Sequence, residues 1–234
     1  MASRQQIRNR ARILINQPDG TGDFTNSELD GFANEGIVFL ASRVRHPRDR
    51  IEIQVELDTP VYTFPKDMMM VYNAYFGNEN ISGDKKPLRV LTEEQIKEIR
   101  PTWLDNTSSS QGRPDTLVVI DKKSCVLNPR PNADESATGK KLEIVYVYYP
   151  TPLNAEGDEP DLPFVYHDLI SQYAASKCYM SKLNNPVLGQ AILREVLDKA
   201  KEVEFAVTTE ISPLHFAWGN DDDMSDVGGE IILP

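Results

Sequence analysis

The chain has 234 residues, a formal net charge of −11 and 40% apolar residues. That length suits one large domain or two small ones and can bury roughly 70–75% of its unfolded surface, so the fold needs no disulfide or metal staple. An acidic chain does not neutralise phosphates, which excludes tight groove binding of DNA, and no apolar run approaches the ~20 residues of a membrane helix.

Residues 3 to 16 fit a helix, with Ile7, Ala11, Leu14 and Ile15 on one face and Arg4, Arg8 and Arg12 as a stripe at i, i+4 and i+8. Pro18-Asp19-Gly20 stops it. Thr25-Asn26-Ser27-Glu28 is a capping box. It predicts a helix to about Arg45, whose apolar face holds Leu29, Phe32, Ala33, Gly36, Ile37, Phe39 and Leu40, and which His46-Pro47 ends. From 51 to 57 the residues alternate, Ile51, Ile53, Val55 and Leu57 against Glu52, Gln54 and Glu56, which predicts a strand. Val61-Tyr62-Thr63-Phe64 is read as its hairpin partner.

Met68 to Phe76 reads as a further strand, although three methionines also tolerate helix. Leu88 to Leu91 is short and β-like, and Thr92-Glu93-Glu94-Gln95 starts a small helix that runs to Ile99 before Pro101. After the polar stretch from Asn106 to Gly112 come three strands: 114 to 120, 126 to 131, and 142 to 150. An acidic loop, 156 to 161, leads back to helix. One helix spans 164 to 183, Asn184-Asn185-Pro186 breaks it, and a second runs from Val187 to about Thr208 with a stripe of Leu188, Ile192, Val196 (or Leu193), Ala200, Val203 and Val207. Beyond Ser212-Pro213 there is no periodicity. The fold expected is α+β: a helical bundle from residues 1–48 and 160–210, an inserted antiparallel β-module over 49–159, and an extended C-terminal arm, 211–234.

The search for reaction chemistry finds no set of partners. His46, His167 and His215 share no helical face, which argues against a histidine metal site. There is no G-x-S-x-G, and the glycines fit neither a P-loop nor a dinucleotide fingerprint. Asp221-Asp222-Asp223 lacks the alternation of a calcium loop, and Glu93-Glu94 and Asp158-Glu159 are neighbours that diverge rather than face each other. Cys125 and Cys178 read as two buried, reduced thiols. The expectation is no enzyme, no cofactor and no metal. The N-terminal Met-Ala-Ser-Arg-Gln-Gln lacks a signal-peptide core, so synthesis in the cytoplasm is expected.

Charge is uneven. Residues 1 to 16 hold four arginines and no acid, whereas residues 202 to 234 hold no Lys or Arg. In that acidic tail Phe216, Trp218, Ile231, Ile232 and Leu233 form apolar islands, which either pack back on the chain or dock in a partner. The Arg4, Arg8 and Arg12 stripe reads either as a solvated face or as a surface that meets acids of a neighbouring subunit or partner.

Several pieces in this order resemble the head-to-tail adaptor (connector, head-completion or gatekeeper) proteins of tailed bacteriophages. They are Val61-Tyr62-Thr63-Phe64-Pro65-Lys66-Asp67, Arg100-Pro101-Thr102-Trp103, Gly112-Arg113-Pro114, Leu127-Asn128-Pro129-Arg130-Pro131, Tyr146 to Leu153, and Asp161 to Ile170 with Tyr173-Ala174-Ala175. The resemblance covers about residues 5 to 208. It implies a virion protein in a ring, usually twelve-fold, that binds the portal protein, offers a docking face to tail or nozzle proteins, and extends a channel through which double-stranded DNA passes without specific binding. The C-terminal arm commonly reaches the portal, which makes Phe216, Trp218, Ile231, Ile232 and Leu233 candidate docking anchors. A tail completion or terminator protein, a host-directed binding module and a small hydrolase are the competing readings.

Overall fold

In the computed structural model, residues 2–18, 22–56, 61–78, 80–81, 83–103, 111–136 and 139–211 are described, 204–211 by their backbone alone. They form five α-helices and seven strands: α1 Arg4–Leu14, α2 Asn26–Val44, β1 Arg48–Gln54, β2 Val61–Thr63, β3 Met68–Gly77, β4 Lys86–Thr92, α3 Glu93–Ile99, β5 Thr116–Val119, β6 Ser124–Asn128, β7 Lys141–Tyr148, α4 His167–Met180 and α5 Pro186–Ile211. The class is α+β. The arm, residues 212–234, with Phe216, Trp218, Ile231, Ile232 and Leu233, lies outside the described residues.

Three helices begin on capping boxes. The Ser3, Thr25 and Thr92 hydroxyls accept from the amides of Gln6, Glu28 and Gln95, and those three side chains bond back to the cap amides. Four apolar clusters form among the described residues, two of them large and two small, the small ones around Phe24 and Leu29 and around Ile96 and Trp103. Of the large ones, one joins Ile7 of α1, Ala33, Ile37, Leu40 and Val44 of α2, Leu153 and Leu162 of the connecting loop, Leu169 and Ile170 of α4, and Val196 and Ala200 of α5. The other lies in the sheet, around Phe76, Leu117, Leu127, Leu142 and Ile144. Close helix approach depends on glycine at two points. A Cβ at Gly36 would stand 2.9 Å from the Tyr173 ring, and one at Gly189 would stand 2.8 Å from the Ser176 carbonyl oxygen.

The strand order is β1-β7-β3-β4-β5-β6-β2. This corrects two expectations. Val61–Thr63 does not form a hairpin with the preceding strand; β1 pairs with β7 at one edge, and β2 pairs with β6 at the other. The sheet is not wholly antiparallel either, because β4 and β5 run parallel, joined through α3. A parallel pair needs such a crossover, since a tight turn cannot reverse the chain twice. β4 also divides its pairing. Lys86 to Leu88 bonds to β3, and Arg89 to Thr92 bonds to β5. The sheet therefore opens between the first half of β3 and the second half of β4.

Smaller differences are local. β1 starts at Arg48 and ends at Gln54, earlier than the alternation over 51 to 57 implied. The helix expected from 164 opens with a single 3-10 turn, Phe164–Tyr166, before α4.

Candidate assembly surface

The arginine stripe of α1 is the largest revision. The Arg8 and Arg12 side chains are buried. Arg8 reaches Asp30 of α2 at 3.1 Å and Glu156 of the acidic loop at 2.8 Å. Arg4 joins the same Asp30 carboxylate at 2.6 Å. Arg12 donates to the Phe24 carbonyl at 3.1 Å and to Asn26 Oδ1 at 2.8 Å. The expectation that these side chains meet acids of another chain is thus corrected for Arg8 and Arg12, which are used inside the subunit. The stripe sits one residue, about 100° of helix, from Ile7, Ala11 and Ile15. A helix docked over a face that wide carries both stripes inward, and it turns Ile13 and Leu14 out to solvent. Hydrogen bonding to Glu156, with the nearby Asp30 charge, outweighs burial and holds the Arg8 guanidinium above its ordinary pKa.

The acidic loop has a structural task that its charge alone did not announce. Its Asp158 and Glu156 carbonyls accept from the Arg4 and Gln5 amides at the start of α1. The Asp158 carboxylate accepts from the Asn154 and Ala155 amides, both at 2.7 Å, and these bonds lower its pKa. Nearby, His167 is held at both ring nitrogens. Nδ1 lies 3.1 Å from the Ala2 amide that donates to it, and Nε2 lies 2.8 Å from the Leu162 carbonyl. A ring bonded at both nitrogens to backbone positions a chain segment and has no free nitrogen for proton transfer.

Other titratable groups are likewise engaged in structure. Burial pushes the Cys125 and Cys178 thiols up to about 12. Lys182 donates to Glu28 at 2.6 Å, and with the Thr25 bonds this holds the Glu28 carboxyl down at about 2. His46 is lowered by burial and by the Arg48 charge. Among the described residues no group of three His, Cys, Asp or Glu side chains could hold a metal ion, and no helix is long and apolar enough to cross a membrane. His215 and Asp221 to Asp223 lie outside the described residues.

What the surface does offer is apolar. Leu14 of α1, Ala175 and Tyr179 of α4, and Leu188 and Ile192 of α5 line a groove edged by Gln172 and Glu195. The side chains of Ile13 and Val187 also stand exposed, on α1 and at the start of α5. A second cleft occupies the opening of the sheet, between Met68 to Val71 and the run Val90 to Gln95, with Val119 to Lys122 at its end. Phe164 and Val165 stand exposed at the entrance to α4. Exposed apolar surface of this kind suits protein contacts better than chemistry on a small molecule. Sequence reasoning missed both the groove and the cleft. The helical periodicity places Leu14 and Leu188 on apolar stripes, whereas both stand partly exposed, and the cleft exists only because β4 changes partner.

Comparison with curated proteins finds no match. A family model described as SU10 adaptor protein matches residues 3–207, which takes in every strand and all the helices up to the last turn of α5. Over that span the expected resemblance holds, and the chain belongs to the SU10 adaptor protein family, structural head-to-tail adaptors of tailed phages.

Proposed function

We propose that copies of this chain assemble as a head-to-tail adaptor ring, twelve-fold as the resemblance implies. The ring binds the portal on one side and tail or nozzle proteins on the other. The observation that carries the reading is the family match over residues 3–207, which spans the two large apolar cores. In this reading residues 1–48 and 160–210 are the ring-forming helical body, residues 49–159 are the inserted module facing the tail, and residues 211–234 are the arm toward the portal. Leu14, Tyr179, Leu188 and Ile192 belong to the contact between neighbouring copies, because they form an apolar groove on the helical part.

The arm would use Phe216, Trp218, Ile231, Ile232 and Leu233 as anchors. Each buried aliphatic or aromatic side chain contributes roughly 1.5–3 kcal/mol, enough for a few to offset the ordering of the arm. The net charge of −11 suits a channel wall past which DNA slides without sticking. Product, substrate and cofactor play no part in this reading, and the protein's place is the virion.

The test mixes the purified protein with its portal and images the complex by electron microscopy, with mass measured in solution. A ring seated on the portal vertex supports the reading. A protein that stays monomeric and leaves the portal bare overturns it, and one that binds only the end of a tail tube makes it a tail terminator instead.

A further inference from the structure

Arg43, Arg45, Arg48 and Arg50 fall within eight residues at the junction of α2 and β1, and all four are exposed. None makes an ion pair among the described residues. Arg43 and Arg48 lie instead over the rings of Phe39 and Tyr72, at 5.5 and 3.6 Å, and Arg48 Nε donates to the Arg45 carbonyl at 2.7 Å. Several other basic side chains are paired. Arg10, Lys85, Arg100, Arg113, Lys140 and Lys177 each hold a carboxylate within 3.0 Å. The acids nearest the cluster are committed elsewhere. Glu52 holds Lys141 at 2.6 Å, and Asp49 accepts from the Arg50 amide and, at 3.5 Å, from Tyr146. Among the described residues the four neighbouring cations thus hold no carboxylate in an ion pair, although the Glu52 charge lies near enough to Arg50 to feel it, on a chain of net charge −11.

We propose that this arginine cluster is the docking surface for the acidic C-terminal segment of the same chain, residues 212–234. Three observations converge on that occupant. The segment has five acids, Asp221, Asp222, Asp223, Asp226 and Glu230, and no Lys or Arg. α5 packs against α2, and its Ala200 and Val203 lie in the same core as Val44, which sits between Arg43 and Arg45. The distance is within reach. From Val203 to Ile211 the helix rises about 12 Å at 1.5 Å per residue, a return that about four extended residues cover at ~3.3 Å each. That brings Asp221 to Glu230 to the cluster with chain to spare. Among the described residues β1 pairs only with β7, at the edge of the sheet, and Ile231 to Leu233 follow the acids directly. This inference concerns the isolated subunit and stands apart from the portal reading.

The experiment uses the full chain with a nitroxide on Ser225→Cys, the buried Cys125 and Cys178 remaining unlabelled, and reads amide signals by NMR. At low salt the amides of residues 44 to 50 should lose most of their intensity. They should recover at about 1 M salt, where the screening length falls to about 3 Å. They should also recover in Arg45→Glu/Arg50→Glu, which spares both ring-stacked arginines, with an unchanged thermal midpoint as the folding control. Undiminished signals at low salt, or the same loss in the double variant, overturn the proposal. So does loss that appears when nitroxide-bearing protein is mixed with isotope-labelled, spin-free protein, because the contact would then join two copies.

Discussion

Asp30 is the group whose removal should damage the fold most for its size. Its carboxylate is buried and is shared by Arg4 at 2.6 Å and Arg8 at 3.1 Å. Asp30→Ala leaves the buried Arg8 with Glu156 alone, whose side chain is 57% exposed. Breaking a buried pair by deleting one partner costs about 3–5 kcal/mol. For a chain of this size each kcal/mol moves the midpoint by roughly 2–4 °C, so the loss should be at least about 6 °C. The double variant Asp30→Leu/Arg8→Met places apolar side chains in the same space and should regain most of it, since such replacements are often neutral. Thermal and urea unfolding of wild type, single and double variants measure both steps. A midpoint for Asp30→Ala within about 2 °C of wild type would refute the reasoning. It would mean that the arginines are dispensable to the subunit and available to another chain, one of the two readings the sequence allows.

Thr92→Ala removes the cap of α3 and should cost about 1 kcal/mol, seen as a small fall in the urea midpoint. Gly36→Ala forces a methyl against Tyr173 and should destabilise by about 1–3 kcal/mol, with the loss relieved by Tyr173→Leu. Glu28 contributes stability that is fully present above its unfolded pKa near 4.3 and is lost as pH falls toward its folded value of about 2. The acid limb of unfolding should therefore be shallower in Glu28→Gln between those values, and an identical limb would show that the Lys182 and Thr25 bonds do not persist in solution. Cys125 and Cys178 should resist alkylation in the native protein and react promptly in denaturant, because burial holds both thiols neutral; native-state labelling would contradict that burial.

Local order was legible in the sequence, and long-range order was not. The capping box at Thr25 and the Thr92 start of α3 stood on their own spacing, and Asn184-Asn185-Pro186 marked the break between α4 and α5. Strand pairing is a contest between distant segments, and the local rule that neighbouring strands form hairpins placed 61–64 against 51–57. The sheet chose otherwise, with Arg48 opposite Val147 and Val61 opposite Val126. The strand–helix–strand order around α3 did carry a signal for the parallel pair, and it was read only as a helix inside an antiparallel module. Of the candidate site, the family was visible through motif order, but the fate of the arginine stripe was not. A single aspartate amid the apolar face of α2, at position 30, was the clue that buried cations lay opposite. The arm's anchors lie beyond the described residues.

The pairing of β1 with β7 has a consequence for how the protein is made. Arg48 must wait for Val147, and α1 must wait for the Glu156 and Asp158 carbonyls and for His167. On a ribosome adding about 5–20 residues per second, the first helices and the first strand emerge several seconds before any of these partners exist. The first two helices cannot close their cores by themselves, because those cores take residues from beyond position 150. The nascent N-terminal third must leave the exit tunnel with Ile7, Ile37 and Leu40 uncovered. Contacts of such long sequence separation slow folding, and they make translation speed and chaperone supply direct determinants of yield wherever the chain is made.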